Sequence, residues 1–271
     1  MRRRTDRAAA LRATAIALAS SALLFGVLAW IVVRSPGWPA VREAFFNGRV
    51  LRASLPDIVR SFGANVRLFL LAEAIILVLG LLVALLRGLP GAAFFPVRLL
   101  MTAYVDVFRA LPGVLVIYIL GFGIPGLGLA GLPVDPFFYA VLALSLIYAA
   151  YVSEVYRAGI ESIDPGQEAA ALSLGLSRTQ TLRLVILPQA LRRVIPPLLN
   201  DFIGLQKDTV LVSYIGVVEV FRQSYIQQAG SFNFSPYLGT ALVFIVVTLP
   251  LARLTDWLLR RERGHARSTG A

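Results

Sequence analysis

Six long apolar stretches, at 13–33, 66–86, 99–119, 137–155, 195–218 and 237–259, leave this chain few ways to fold. A helix needs roughly 20 mostly apolar residues to cross a bilayer core about 30 Å thick. Inside that core every backbone N–H and C=O must find a partner within the protein, so only helices and closed barrels can span it. No alternation of apolar and polar residues competes with the helical reading. The stretch at 195–218 is the weakest of the six, because it carries Asn200, Asp201, Lys207 and Asp208. A hydrophobic share of 58% and a mean hydropathy of +0.75 lie well above the ordinary soluble range. The expected fold is therefore an all-α polytopic membrane protein with six transmembrane helices.

Arg2, Arg3 and Arg4 precede the first apolar run in the manner of a secretory signal. That run is too long for a signal core and no small-x-small cleavage site follows it, so a retained helix is expected. The charge pattern then orients the chain. Of the 25 arginines, 16 fall on one side: five before residue 13, two at 87–98, five at 157–193 and four after residue 259. Six fall on the other side, and Arg67, Arg109 and Arg253 fall within apolar stretches. Basic loops stay in the cytoplasm, which predicts that both termini are cytoplasmic. The same sidedness accounts for the net charge of +11 without a nucleic-acid partner. Five of the six outer arginines crowd residues 34–60. Leu55, Ile58, Val59 and Phe62 share one helical face there, which predicts an amphipathic helix at the membrane interface, its arginine stems reaching the headgroups.

Between the fourth and fifth apolar stretches lies a polar segment at 166–190. Asp164 and Pro165 suit a helix start, residues 167–174 contain no breaker, and Gly175 suits a C-terminus that needs positive φ. Ser177 can cap a second short helix at 178–187, which Pro188 is expected to interrupt. The expectation is helix, glycine turn, helix: a compact knob outside the bilayer.

Ionisable residues inside apolar stretches are costly and usually face protein or water. Glu73 either lines a polar path, able to meet an ammonium group, or pairs with an arginine such as Arg67 or Arg109. Asp106 and Arg109, three apart, read as a structural pair. Asn200, Gly204, Lys207 and Asp208 share a face with Thr209 adjoining. Either they line a cavity, or Lys207 and Asp208 form a buried pair holding helices in register. Glu154 and Arg157 read as an anchor at a helix end. There is no cysteine, the only histidine is His265 in the polar tail, and no GxxxxGK[ST] phosphate loop occurs. These absences argue against an enzyme, a metal site or ATP hydrolysis on this chain.

The knob resembles the EAA loop of bacterial ABC importer permeases, matching its ending at Gly175, Val185, Leu187 and Pro188. The flanks GLSRTQT and ILPQALRRVIPPL, the run at 200–219 and the FRALPG at 108–113 are similar to the polar amino acid subfamily of histidine, glutamine, glutamate, arginine and opine type. Aligned on Gly175, Ala169 stands where the family has its glutamate and Glu168 falls one residue early. The resemblance implies a permease domain at 65–261, preceded by an added helix and external linker at 1–64 and followed by a disordered tail at 262–271. It implies a cytoplasmic coupling loop at about 157–194, with Gly166, Gln167, Glu168, Ala169, Ala170, Ala171, Gly175, Leu176, Ser177, Leu187 and Pro188 meeting the ATPase. It implies a substrate path near Glu73, Asn200, Gly204, Lys207, Asp208 and Thr209. The implied partners are a cytoplasmic ATPase dimer that holds ATP and Mg, an extracytoplasmic substrate-binding protein, a second permease chain (identical or related), a polar amino acid and the lipid bilayer of the bacterial cytoplasmic membrane. A permease for another small solute such as methionine shares the knob. An ion-coupled secondary transporter would explain the buried charges but not the knob.

Overall fold

The computed structural model describes residues 2–268, with side chains described over 13–260. In chain order the helices are α1 (Arg2–Arg34), α2 (Trp38–Phe45), α3 (Gly48–Arg87), α4 (Phe95–Ala110), α5 (Gly113–Tyr118), α6 (Ile124–Gly126), α7 (Pro136–Glu161), α8 (Pro165–Ser173), α9 (Arg178–Thr181), α10 (Leu187–Asp208), α11 (Val220–Ser231) and α12 (Ser235–Ser268). There is no strand among the described residues. The all-α expectation holds.

The expected count of six spans is not reached. Four helical stretches are long and apolar enough to cross a membrane: Ala13–Arg34, Trp38–Arg87, Pro136–Glu161 and Ser235–Arg260. A fifth is broken, Ala92–Ala110 meeting Gly113–Gly126 at a bend of 108°. The apolar run at 99–119 is interrupted because Leu111 is extended (φ −82°, ψ 139°) before Pro112, which has no N–H to continue the ladder. The run at 195–218 is divided as well. Its first part belongs to the charged helix α10, and its last part tightens into a 3₁₀ turn at Thr209–Ile215, closed by Gly216 at φ +92°.

A second correction concerns the external linker. Residues 48–64 are not a separate helix but the first turns of α3, which runs unbroken for 40 residues. Of the four apolar residues expected to face lipid together, Ile58 is fully buried while Val59 is exposed. Ile58 packs under α12, where a Cβ on Gly239 would lie 3.0 Å from Ile58 Cδ1. Ile58 is thus satisfied by protein, while Leu55 and Val59 remain exposed. The tail expected to be disordered falls partly within α12, which is helical to Ser268; residues 269–271 lie outside the described residues.

The core is the seam between α3 and α7, with Leu68, Ala72 and Ile76 against Ala140, Ala143, Leu144 and Ile147. Small residues let these helices approach: Ala140, Ala143, Ala149 and Ala150 are all fully buried. A Cβ on Gly80 would fall 2.8 Å from Val152 Cγ1, so only glycine fits there. Within a bilayer such close approach is the chief source of helix–helix attraction, because lipid tails are as apolar as leucine. None of the described part of α1 is buried, which suits a helix surrounded by lipid.

Candidate functional site: a surface knob and an acidic helical path

The knob forms as its local chemistry dictates. Asp164 Oδ1 accepts from Gly166 N at 2.7 Å and starts α8. At the other end Leu176 N donates to Ala171 O (3.3 Å) and Gly175 N donates to Leu172 O (3.0 Å). This Schellman pattern requires a left-handed residue, and Gly175 supplies it at φ +84°. Ser177 and Gln180 then make a capping box: Gln180 N donates to Ser177 Oγ (3.3 Å) and Ser177 N donates to Gln180 Oε1 (2.9 Å). Gln189 Nε2 reaches Gln167 Oε1 at 3.4 Å, and an Arg193 guanidinium donates to the Ser162 carbonyl, so the first arm is tied to α10 and α10 to the end of α7.

Pro188 does not interrupt the second arm. A π-helical segment at Leu182–Ile186 precedes it, and Pro188 occupies the first turn of α10. The wider ladder removes the hydrogen bond that proline could not have made, so the chain passes from knob to α10 without a turn. Gly166, Gln167, Glu168, Ala169, Ala170, Gly175, Ser177, Leu187 and Pro188 are exposed, Leu176 is half-buried, and Ala171 is buried. Glu168 faces a recess of about 350 Å³ shared with Glu161, Asp164 and Arg178. Ala169 offers only its carbonyl, which accepts from Ser173 Oγ at 2.8 Å. Leu174 at 85% and Leu184 at 62% exposure leave the knob an apolar tip.

The second assembly lies where α3, α7 and α10 converge. Tyr148 Oη donates to Asp208 Oδ2 at 2.8 Å. Gly204 makes room for that ring: a Cβ there would lie 3.3 Å from the tyrosine oxygen. Asp201 lines a cavity of about 440 Å³ together with Arg109, Tyr151, Glu154, Arg193 and Pro197. Its Oδ2 is buried without a hydrogen-bond partner. The Glu73 carboxylate, half-buried on α3, is close enough to Asp201 for like-charge repulsion. Phe69 meets Phe202 edge-on at 4.5 Å and locks α3 to α10 at this level.

The remaining sequence candidates are placed elsewhere. Lys207 and Asp208 form no pair. Lys207 is exposed beside an apolar groove with Phe221 and Phe244, while Asp208 turns to Tyr148, since neighbouring helical side chains diverge by about 100°. Asn200 is exposed. Thr209 is fully buried, its hydroxyl accepting from Asn65 Nδ2 (3.0 Å) and donating to Gln206 O (2.8 Å). Asn65 Nδ2 also reaches Glu219 Oε2 at 3.0 Å, so Thr209 belongs to an internal brace between α3 and the start of α11.

In the wall of the same cavity, Glu154 is the hub of an ion cluster. It accepts from an Arg87 guanidinium and from Arg157 Nη2 at 2.6 Å, with Arg109 Nη1 at 3.8 Å; Arg157 also bonds Glu161 at 2.8 Å. Arg109 thus faces Glu154 and the Tyr151 ring rather than the Asp106 expected from spacing. Arg87 and Tyr148 were not foreseen as partners of these acids. Nothing in the local pattern marks them, because their partners lie 67 and 60 residues away.

A helical membrane core that carries a charged cavity and extends one capped helix–glycine–helix knob beyond its spans has the build of a transport permease. The chain belongs to the family of binding-protein-dependent transport system inner membrane components, whose model matches residues 76–264. Among its relatives, the arginine transport system permease protein ArtQ of Bacillus subtilis (strain 168) is 35% identical over 212 residues, 78% of this chain and 94% of the relative. The glutamate/aspartate import permease protein GltK of Escherichia coli O157:H7 is 35% identical over 222 residues, 80% of this chain and 98% of the relative. A crystal structure of an amino acid ABC transporter with histidines superposes with a TM-score of 0.70 at 33% identity, covering 76% of this chain and 94% of that one. The inward-facing MetNI methionine ABC transporter shares the fold at a TM-score of 0.59 and 19% identity, over 76% of this chain and 95% of that one. The resemblance to ABC importer permeases read from the sequence is borne out.

Proposed function

We propose that this chain is the membrane-spanning permease subunit of an ATP-driven importer of polar amino acids. The observation that carries the substrate reading is the cavity between helices lined by the acids Glu154 and Asp201 and by Arg109 and Arg193, with Asp201 Oδ2 buried and without a hydrogen-bond partner. A lining of both signs suits an amino acid, with Asp201 free to meet its ammonium group and the guanidinium groups its carboxylate. The names of the amino acid permeases it resembles support the same class. In this reading Glu73, Asp201 and Asp208 form the path, with Gly204 and Tyr148 shaping it. Asn200, Lys207 and Thr209 drop out of it for the geometric reasons above.

ATP and Mg belong to a separate ATPase dimer, whose groove takes the knob as a docked helix. Because the knob continues into α10 through Pro188, and Arg193 of α10 is bonded to the Ser162 carbonyl at the end of α7, closure of the ATPase would move both path-lining helices as one body. An extracytoplasmic binding protein delivers substrate, and a second permease chain completes the translocation unit. The chain lies in the bacterial cytoplasmic membrane with both termini and the knob in the cytoplasm.

Two measurements test this. With the partner subunits in liposomes, uptake should require ATP and binding protein. Asp201→Asn should raise the apparent KM for a cationic amino acid roughly tenfold, the value of one charge-assisted hydrogen bond, without lowering abundance. Uptake driven by an ion gradient without ATP, or an unchanged KM in the variant, would overturn the reading. For topology, the cysteine-free chain permits single labels: Leu174→Cys should react only from the cytoplasmic side and Ala229→Cys, on the exposed end of α11, only from outside. Reaction of both from one side would refute the orientation.

A further inference from the structure

The arginine-rich outer segment remains without a role in transport as described. Three of its arginines, Arg42 at the end of α2 and Arg49 and Arg52 in the first turns of α3, line one cleft of about 460 Å³ with Glu43 and Asn47. None of the three makes an ion pair among the described residues, so the cleft holds three guanidinium groups against one carboxylate. The next acid along α3, Asp57, is occupied with Arg60 and Gln227. The amides that open α3 are not free to bind a ligand, since Asn47 Oδ1 already accepts from Arg49 N and Val50 N. The positive field therefore comes from side chains alone.

The depth of the cleft is set by what precedes it. The span Ala13–Arg34 is 22 residues long, about 33 Å of helix, enough for a hydrocarbon core of about 30 Å. Only residues 35–37 separate its end from α2. With that span across the bilayer, α2 begins at headgroup level, and its aromatics agree: Trp38 pairs with Phe46 at 6.1 Å, and Phe45 and Phe46 are exposed. An elbow with aromatic rings beside unpaired guanidinium groups, held at the depth of lipid phosphates, matches one ligand chemistry.

We propose that the cleft of Arg42, Arg49 and Arg52 is a binding site for the phosphodiester headgroup of an anionic phospholipid. Guanidinium forks bind phosphate bidentately, and Trp38 and Phe46 flank the acyl chains below. The site requires α2 at the interface but neither transport nor a particular orientation of the chain, so its test is independent of the proposed function.

Trp38 supplies the reporter. In the full chain carrying Trp30→Phe and Trp257→Phe it is the only tryptophan. Reconstituted in phosphatidylcholine bilayers, its fluorescence should be quenched at least about twofold more by brominated phosphatidylglycerol than by brominated phosphatidylcholine at equal mole fraction. Arg42→Gln, Arg49→Gln and Arg52→Gln together should bring that ratio to near one, whereas Arg260→Gln at the far end of α12 should leave it unchanged. If the triple variant fails to insert, each single variant should lower the ratio. Equal quenching by the two lipids, a ratio that survives the arginine substitutions, or loss of the excess on adding inorganic phosphate would overturn the proposal. So would equal quenching accompanied by a triple variant that binds the substrate-binding protein more weakly, which would assign the arginines to a protein surface.

Discussion

Gly175→Val should insert at close to the normal level and lose most of its binding-protein-stimulated uptake. Position 175 sits at φ +84° with nothing within 4 Å of where a Cβ would project, so the penalty comes from the backbone alone. Forcing a β-branched residue into the left-handed region costs on the order of 1–3 kcal/mol. That is enough to unmake the two C-terminal hydrogen bonds, from Leu176 to Ala171 and from Gly175 to Leu172. The spans do not depend on this turn, because the α3–α7 core lies elsewhere. The loss should therefore appear as uncoupling, with ATPase activity persisting while uptake falls. Gly175→Asn is the matching control, since asparagine tolerates the left-handed conformation and should restore a large part of the uptake. Normal uptake by inserted Gly175→Val, or an asparagine variant as defective as the valine one, would refute the account.

Glu154→Gln should have the largest effect on stability. Its carboxylate is the common acceptor for Arg87 and Arg157, and Arg109 stands near; the side chains of Arg87 and Glu154 are only 15% and 20% exposed. Replacing the carboxylate by an amide leaves guanidinium groups crowded around a neutral group in a poorly solvated site. Breaking a fully buried pair costs roughly 3–5 kcal/mol; the residual solvent contact here reduces the expectation to about 2–3 kcal/mol. For a chain of this size that corresponds to a Tm lower by roughly 5–10 °C. Arg157→Gln should cost less, because Arg157 is more exposed and the Arg87 contact to Glu154 survives. A thermal shift of under about 1 °C for Glu154→Gln would show that the cluster is ornamental.

The features legible in advance share a physical property: each is decided within a few residues. Asp164, Gly175 and the Ser177 cap are local devices whose donors and acceptors lie at most five positions apart, so composition and spacing suffice to place the knob. Hydropathy likewise needs no tertiary partner, which is why the helical membrane class could be read directly. The motif around Gly175, through its likeness to a family, pointed to the ATPase-coupled permeases.

What the sequence left open concerns where elements end and whom they face. The break at Leu111–Pro112 turns a hydrophobic stretch of spanning length into a bent pair, because one extended residue before proline outweighs the apolar pattern around it. Pro56 and Pro188 have no such effect, each being accommodated within a continuing helical course. Lys207 and Asp208 are neighbours in the chain yet face an apolar groove and Tyr148 respectively. By itself, then, the sequence determined the helical membrane class, the capped knob and the polar residues available to a path. Only the tertiary structure decided that Asp201 lines the cavity with one oxygen buried and unpartnered, that Arg87 neutralises Glu154 and that residues 48–64 extend α3. Those outcomes depend on the rotation and crossing of α3, α7 and α10, set by small residues such as Gly80 and Gly204 that admit a neighbour's side chain.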